Sequence, residues 1–425
     1  MIASTDPSSP ALRDLLRSVH RSGPSAERRC WTRWAASGTP LIEAIPRDRS
    51  HSWVTYVWHG VPNTRAVALV CPQLGYGNVG GLERLPGTHV WFRTFKTKNA
   101  CFGGYRFVVN PPRTLPTDMR ETLRLLRRRA KLDPLNPSTW TRSIDPECPS
   151  NPLFGVTVSV LELPGAPRHR ELEEQPNVPK GRLVLHRFRS RNLRNSRRVW
   201  IYTPATARRL SSRTPLVVFF DGFGYTSASP TPTILDNLIA TGQIPPVVAV
   251  FVDSIDLAVR DRELPGYAPF GRFLARELLP WIRTTIGYTP RPRNTVLAGL
   301  SYGGLAALYW TVQKPNLFQR VLAQTGAFGW SPKGVDEPEW LVRELMRHPR
   351  LPLRIYLDGG RCEYQSDVEN RVGHLAAIRH LRDVLRMRGY PLLSQEFCGA
   401  HDLYCCRQTL VDGLRWVLSD QRSAS

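Results

Sequence analysis

The chain has 425 residues, 41% of them apolar, which is enough to bury a large core and to divide into about two domains. Its formal charge of +23 comes from 58 Lys and Arg against 35 Asp and Glu, and most of the excess is arginine. The arginines are scattered, with denser runs at "LRLLRRRAK" (123–131) and "HRFRSRNLRNSRR" (186–198), and no zinc-finger or RNA-binding spacing accompanies them. They read as solvated faces, so nucleic acid is not an expected partner.

Residues 1–45 form an extension with one short helical pattern, "PALRDLLRSVH". From 46 to about 151 the reading is β. "SWVTYVWHG", "RAVALVCPQ", "HVWFRTFKT" and "CFGGYRFVV" alternate apolar and polar residues between Gly and Pro punctuation, which predicts a small all-β sandwich. A Pro-rich, charged connection with a helix near 117–130 follows, and the domain boundary is placed near 152.

From 152 to 425 the rhythm changes. "VTVSVLEL", "GRLVLHRFR" and "RRVWIYTP" read as an antiparallel edge. "PLVVFFDG", "PPVVAVFVDS", "NTVLAGLS", "RVLAQTG" and "LRIYLDGG" are short apolar runs separated by amphipathic helical patterns. That order predicts an α/β domain, a mostly parallel sheet with helices on both faces. No internal repeat stands out. No apolar run is long enough to span a membrane, the N-terminus lacks a signal-peptide core, and the eight cysteines contain no C-x-x-C pair. A cytoplasmic protein with reduced thiols is expected.

The chemistry centres on "LAGLSYGGLAAL" (297–308), in which Ser301 stands between Gly299 and Gly303. A strand-like run precedes it and a helical run follows. That is the context a nucleophile elbow needs, with small flanking residues beside a strained apex. A small-residue packing corner is the competing reading. A serine nucleophile needs an imidazole base, an acid to orient it and an oxyanion hole. The acid and base follow the serine in chain order in such folds. Among His348, His374, His380 and His401, the last lies in a loop after "PLLSQEF" and before the final helix. His374 and His380 lie in a helical run. His401 is therefore the expected base. The acid is expected in the loop after "LRIYLDGG", where Glu363 is preferred and Asp358 is the alternative. The backbone N–H groups of Tyr302 and of Phe223, in "VFFDGFGY", are the expected oxyanion donors.

At these residues the chain resembles the enterochelin (ferric enterobactin) esterases. "FFDGF", "IPPVVAVFVDSIDLAVRDRELPG", "VLAGLSYGGLAALY" and "GAHDLYCCRQTLVDGL" resemble the family's esterase domain, and "VTYVWHG", "LERLPGTHVWFRTFKT" and "DPLNP" its N-terminal domain. The resemblance implies an α/β-hydrolase-like serine esterase acting on a catecholate siderophore lactone, ferric or iron-free, for iron release inside the cell. It carries the nucleophile onto Ser301, the histidine onto His401 and the acid onto Glu363. It also implies substrate-binding roles for Arg260 and Glu263. For Arg260 a salt bridge with Asp261 or Glu263 is the structural alternative. No cofactor or resident metal is implied, since iron arrives with the substrate. Two other readings stand beside it: a serine esterase or thioesterase of secondary metabolism, and a non-catalytic siderophore binder. The oligomeric state is not legible.

Overall fold

The computed structural model describes residues 8–75, 77–205, 210–363 and 372–419. The chain divides into two compact units. The first comprises Met1–Ile144, Pro152–Pro167 and Cys398–Asp402, and the second Asp145–Asn151, Arg168–Phe397 and Leu403–Ser425. The first unit thus continues past residue 152 to Pro167, and the second takes over from Arg168.

The first unit opens with helix α1 (Pro10–Ser22), capped by the Ser9 hydroxyl accepting the Leu12 N–H at 3.3 Å, and helix α2 (Pro24–Ser37). Strands β1 (Leu41–Ile45), β2 (Asp48–His59), β3 (Val67–Val70), β4 (Gly80–Gly81), β5 (Glu83–Arg84), β6 (Val90–Lys98) and β7 (Phe102–Val109) follow. Helix α3 (Met119–Arg129) separates these from β8 (Thr139–Arg142) and β9 (Val156–Glu162). One sheet runs β1-β2-β6-β5 and the other β4-β3-β7-β9-β8.

Strand β2 is covered on both faces, which is why its apolar run is nearly unbroken. Val54 and Tyr56 pack with Leu69, Tyr105, Phe107 and Leu161 of the other sheet. Val57 packs with Leu12 and Leu15 of α1 and Trp34 of α2. The antiparallel sheets agree in part with the expected all-β sandwich, and the N-terminal extension, where one short helix is expected, supplies two helices that form a third layer. Helix α2 escaped the sequence reading, although Pro24 at its first turn and the Cys30/Trp34 pair four residues apart are helical signals. "VTVSVLEL" is also reassigned. As β9 it pairs with β7 and β8 in this unit, not with the edge of the second.

The second unit is built on eight strands in the order β10-β11-β13-β12-β14-β15-β16-β17. They are β10 (Arg182–Ser190), β11 (Asn195–Thr203), β12 (Leu216–Phe220), β13 (Val248–Val252), β14 (Thr295–Leu300), β15 (Arg320–Gln324), β16 (Arg354–Gly360) and β17 (Leu392–Phe397). From β13 through β17 every pairing is parallel, and β10 and β11 form the antiparallel edge.

The parallel strands are apolar throughout because alternate residues enter two cores. Val217, Phe219, Val296 and Ala298 face helices α4 (Thr231–Ala240) and α11 (Leu403–Leu418). Val218, Phe220, Leu297 and Val321 face the opposite layer. That layer holds α5 (Leu257–Glu263), α6 (Ala268–Phe273), α7 (Leu279–Ile286), α8 (Tyr302–Gln313), α9 (Trp340–Met346) and α10 (His374–Met387). Each fully buried Val, Leu or Phe contributes roughly 1.5–3 kcal/mol, so the two cores make the sheet the rigid element of the unit.

The chain leaves β12 for β13 on one side and returns to β14 on the other. The carboxyl ends of β12 and β14 thus form a topological switch point, where open α/β sheets place ligands.

Candidate active site

Ser301 sits at that switch point. Its backbone is at φ 59° and ψ −119°, a region that only a well-supported turn can impose on a residue with a side chain. The support is visible. Its N–H donates to the Gln324 carbonyl at 3.0 Å, and its carbonyl accepts from Ala327 at 3.1 Å and Leu305 at 3.0 Å. A Cβ on Gly299 would lie 2.5 Å from the Gly303 carbonyl carbon, so strand and helix approach closer than any larger residue allows. Steric need, not composition, explains the glycine before the serine. The packing-corner alternative does not call for a strained serine.

Gln324, whose carbonyl receives Ser301, is itself locked. Its side chain accepts from Tyr225 Oη at 2.9 Å and donates to the Cys406 carbonyl at 2.6 Å and to Thr409 Oγ1 at 2.8 Å.

After β12 the chain turns through Asp221, also at positive φ (60°), and Gly222, where a Cβ would stand 2.7 Å from the Phe251 carbonyl carbon. Phe223 then leads into a π-helical turn, Gly224–Ala228, with the Asp221 carbonyl accepting from Gly224 at 2.9 Å. Such turns concentrate at functional sites. Tyr302 is the first residue of α8, so its N–H lies at the positive end of that helix.

The structure gives Arg260 a partner that the sequence did not suggest. Its Nε donates to both Asp221 carboxylate oxygens at 2.9 Å, its Nη2 to Asp221 Oδ2 at 2.8 Å, and its Nη2 also to the Leu300 carbonyl at 3.2 Å. One guanidinium therefore ties the turn after β12 to the residue before Ser301. Burial works against its charge, yet the Asp221 carboxylate raises the pKa above the ordinary arginine value. Asp261 is only a long partner at 3.9 Å. Glu263 is buried at 1% exposure, and its oxygens accept from Arg197 Nη2 at 2.6 Å and Asn195 Nδ2 at 2.9 Å. That geometry ties Glu263 to β11 rather than to a ligand. Asp221 was missed as a functional residue, and its place at a strand end in "FFDGF" was the available signal.

Both candidate acids are buried, and they differ in setting. Asp358 lies within β16; it accepts the Thr325 N–H at 2.7 Å and the Tyr356 hydroxyl at 3.3 Å. Glu363 lies beyond the strand. Its Oε1 accepts the Gly360 N–H at 2.8 Å, and its Oε2 stands 3.4 Å from His374 Nε2. Burial pushes Asp358 up to about 7, with the Glu363 charge adding to the rise and hydrogen bonds opposing it. Burial likewise pushes Glu363 to about 7, against the lowering effect of His374 and the Gly360 N–H.

His374 lies in the helical run that the sequence predicts. It is the first residue of α10, and its Nε2 donates to the Thr325 carbonyl at 2.8 Å. His401 is in the turn between β17 and α11, inside the Cys398–Asp402 segment that belongs to the first unit. There the Cys398 carbonyl accepts the Phe102 N–H at 3.0 Å, and Asp402 Oδ2 accepts the Gly104 N–H at 3.0 Å. No helix among the described residues is long and apolar enough to cross a membrane.

Known proteins bear on the chemistry. Residues 190–417 match the family model described as "Putative esterase", and residues 53–172 the model "Enterochelin esterase, N-terminal". The chain is 30% identical to the iron(III) enterobactin esterase of Dickeya dadantii, over 95% of this chain and 96% of that protein. It is also 30% identical to the iron(III) enterobactin esterase of Escherichia coli K12, over 78% of this chain and 80% of that one. The crystal structure of the Shigella flexneri enterobactin esterase in the presence of enterobactin superposes with a TM-score of 0.70 at 28% identity, covering 91% and 97% of the two chains. The Salmonella typhimurium ferric enterobactin esterase gives 0.74 at 27% identity, over 91% and 98%. With both domain models matched in order and near-complete coverage of its relatives, the chain belongs to the enterochelin esterase family of carboxylic ester hydrolases.

Proposed function

We propose that the protein is a serine esterase that hydrolyses the ester bonds of a catecholate siderophore lactone of the enterobactin type, releasing iron inside the cell. The observation that carries the reading is the strained Ser301 elbow at the switch point, in a chain that aligns over nearly its full length with iron(III) enterobactin esterases.

In the proposed reaction Ser301 Oγ attacks the ester carbonyl carbon while His401 takes its proton. The tetrahedral oxygen is held by the N–H groups of Phe223 and Tyr302. The C–O bond of the lactone breaks, and His401 returns the proton to the departing alkoxide, leaving an acyl-enzyme. Water, deprotonated by the same imidazole, attacks the acyl carbon; the acid is released and Ser301 recovers its proton. Glu363, on the loop beyond β16, holds the imidazole in the required tautomer, a role better matched to its position than to that of Asp358 within the strand. We assign Arg260 to holding the two turns of the oxyanion hole together, because its Nε and Nη2 donate to Asp221 in one turn and to the Leu300 carbonyl at the other.

The test is hydrolysis of ferric and iron-free enterobactin with chromatography of the products, run beside Ser301→Ala. Serine-dependent linear products are expected, with a loss of several orders of magnitude in the variant. Turnover retained in Ser301→Ala would sink the nucleophile. Hydrolysis of simple aryl esters with both enterobactin forms left intact would leave the esterase and remove the siderophore.

A further inference from the structure

The first unit contains a cavity of about 710 Å³, its open mouth included. Its wall is formed by apolar residues such as Leu126 and Val158 together with Arg106, Arg142, His401 and Asp402. The two arginines come from different strands and share a face. In β7 Gly104 pairs with Val160, and in β8 Arg142 pairs with Val156, so the even-numbered residues of β7, β8 and β9 point the same way. The alternation sends Tyr105 and Phe107 into the core and leaves Arg106 on the cavity side.

Two guanidiniums here meet a single carboxylate. Among the described residues of the wall Asp402 is the only acidic one, and its Oδ2 already accepts the Gly104 N–H. Arg142 Nε is buried without a hydrogen-bond partner. Burial, and then the charge of Arg142, lower Arg106 to about 10, with Asp402 acting in the opposite sense. A fold does not keep like charges together in a half-buried cavity for stability, because each disfavours the other's charged form. An anion would complete the set. Leu126 and Val158 supply apolar surface beside the arginines, which suits an aromatic anion better than inorganic phosphate. Guanidinium groups both stack on rings and bind paired oxygens. The wall also carries His401, the proposed base.

We propose that this cavity is a subsite for an anionic catecholate arm of the iron-loaded siderophore, with Arg106 and Arg142 as its specificity determinants. The inference rests on the siderophore reading above. It makes the iron-bound form the preferred ligand: catechols coordinating iron(III) are deprotonated and carry net negative charge, whereas free catechols are neutral near pH 7. The N-terminal unit would then select the charge state of the substrate.

The test uses the full chain carrying Ser301→Ala, with quenching of tryptophan fluorescence by ferric and by iron-free enterobactin. The parent should bind the ferric form more tightly. Arg106→Gln with Arg142→Gln should weaken ferric binding by about tenfold or more and bring the ferric-to-free affinity ratio close to one. Arg106→Lys with Arg142→Lys should keep most of the ratio, since the charge remains. Should the double glutamine protein not fold, Arg142→Gln alone and the lysine pair decide the matter. An unchanged ratio in folded variants, with tight binding retained, overturns the subsite alone. If neither form binds the parent while neutral aryl esters are hydrolysed by the wild type, the siderophore reading falls and the subsite falls with it.

Discussion

Replacing Arg260 by Met tests the architecture of the site most directly. The side chain is 14% exposed and its Asp221 partner 20% exposed, so the pair is mostly out of water. Methionine keeps much of the volume but leaves the Asp221 carboxylate with Ser254 Oγ, at 2.6 Å, in place of three guanidinium contacts. Breaking one side of a buried pair costs about 3–5 kcal/mol; the residual exposure here brings the expected loss to roughly 2–4 kcal/mol. For a unit of this size that is about 5–15 °C in Tm. The same change frees the turn before Phe223 from the strand end before Ser301, and misplacing an oxyanion donor costs about a hundredfold or more in kcat. Thermal unfolding followed by circular dichroism, together with kcat and KM on a neutral aryl ester, reads both effects. Arg260→Met with Asp221→Asn should recover part of the lost stability by removing the stranded charge. A variant with unaltered Tm and kcat would refute the buttress. A rise in KM for the charged siderophore alone would place Arg260 against the substrate instead.

Further expectations follow from the geometry. Gly299→Ala sets a methyl group 2.5 Å from the Gly303 backbone, so esterase activity should collapse while Gly81→Ala, where nothing lies within 4 Å of the added carbon, is tolerated; equal activities would argue against the elbow. His401→Ala should lower kcat by about a thousandfold or more, whereas His374→Ala should leave it within roughly threefold; the reverse order would transfer the base to the Glu363 partner in α10. Glu363 has a folded pKa of about 7, and its anion is the form that orients an imidazole, so kcat should rise with pH through about 7, and Glu363→Gln should lower kcat by roughly a hundredfold or more and flatten that limb. Asp358, raised from 3.8 to about 7, binds a proton more readily folded than unfolded, so it subtracts stability as pH rises from about 4 to 7. Asp358→Asn should flatten the stability profile, measured by urea unfolding, across that window, and an unchanged slope would contradict the burial argument.

The α/β rhythm of residues 215–418 was legible because both faces of a parallel sheet are covered. Such strands must be apolar throughout, and their helices must be amphipathic. The Ser301 elbow was legible for a similar reason: only small residues tolerate that turn, so the constraint is written at consecutive positions. The order of serine, acid and histidine candidates is likewise a property of the chain.

Other features depended on neighbours distant in sequence. Strand β9 has the same alternating pattern as an edge strand of either unit, and only its pairing with β7 and β8 assigns it. The partner of Arg260 is 39 residues away, because an arginine satisfies whichever carboxylate folding brings near, not the one beside it in sequence. Arg106 and Arg142 lie 36 positions apart by number and share a sheet face only once β9 stands between their strands, a convergence that no local pattern encodes. Chain-local physics, in periodicity and steric tolerance, set the elements and the elbow of this protein. The company kept by its charges was decided by tertiary structure, since charge pairing depends on distance in space and not along the chain.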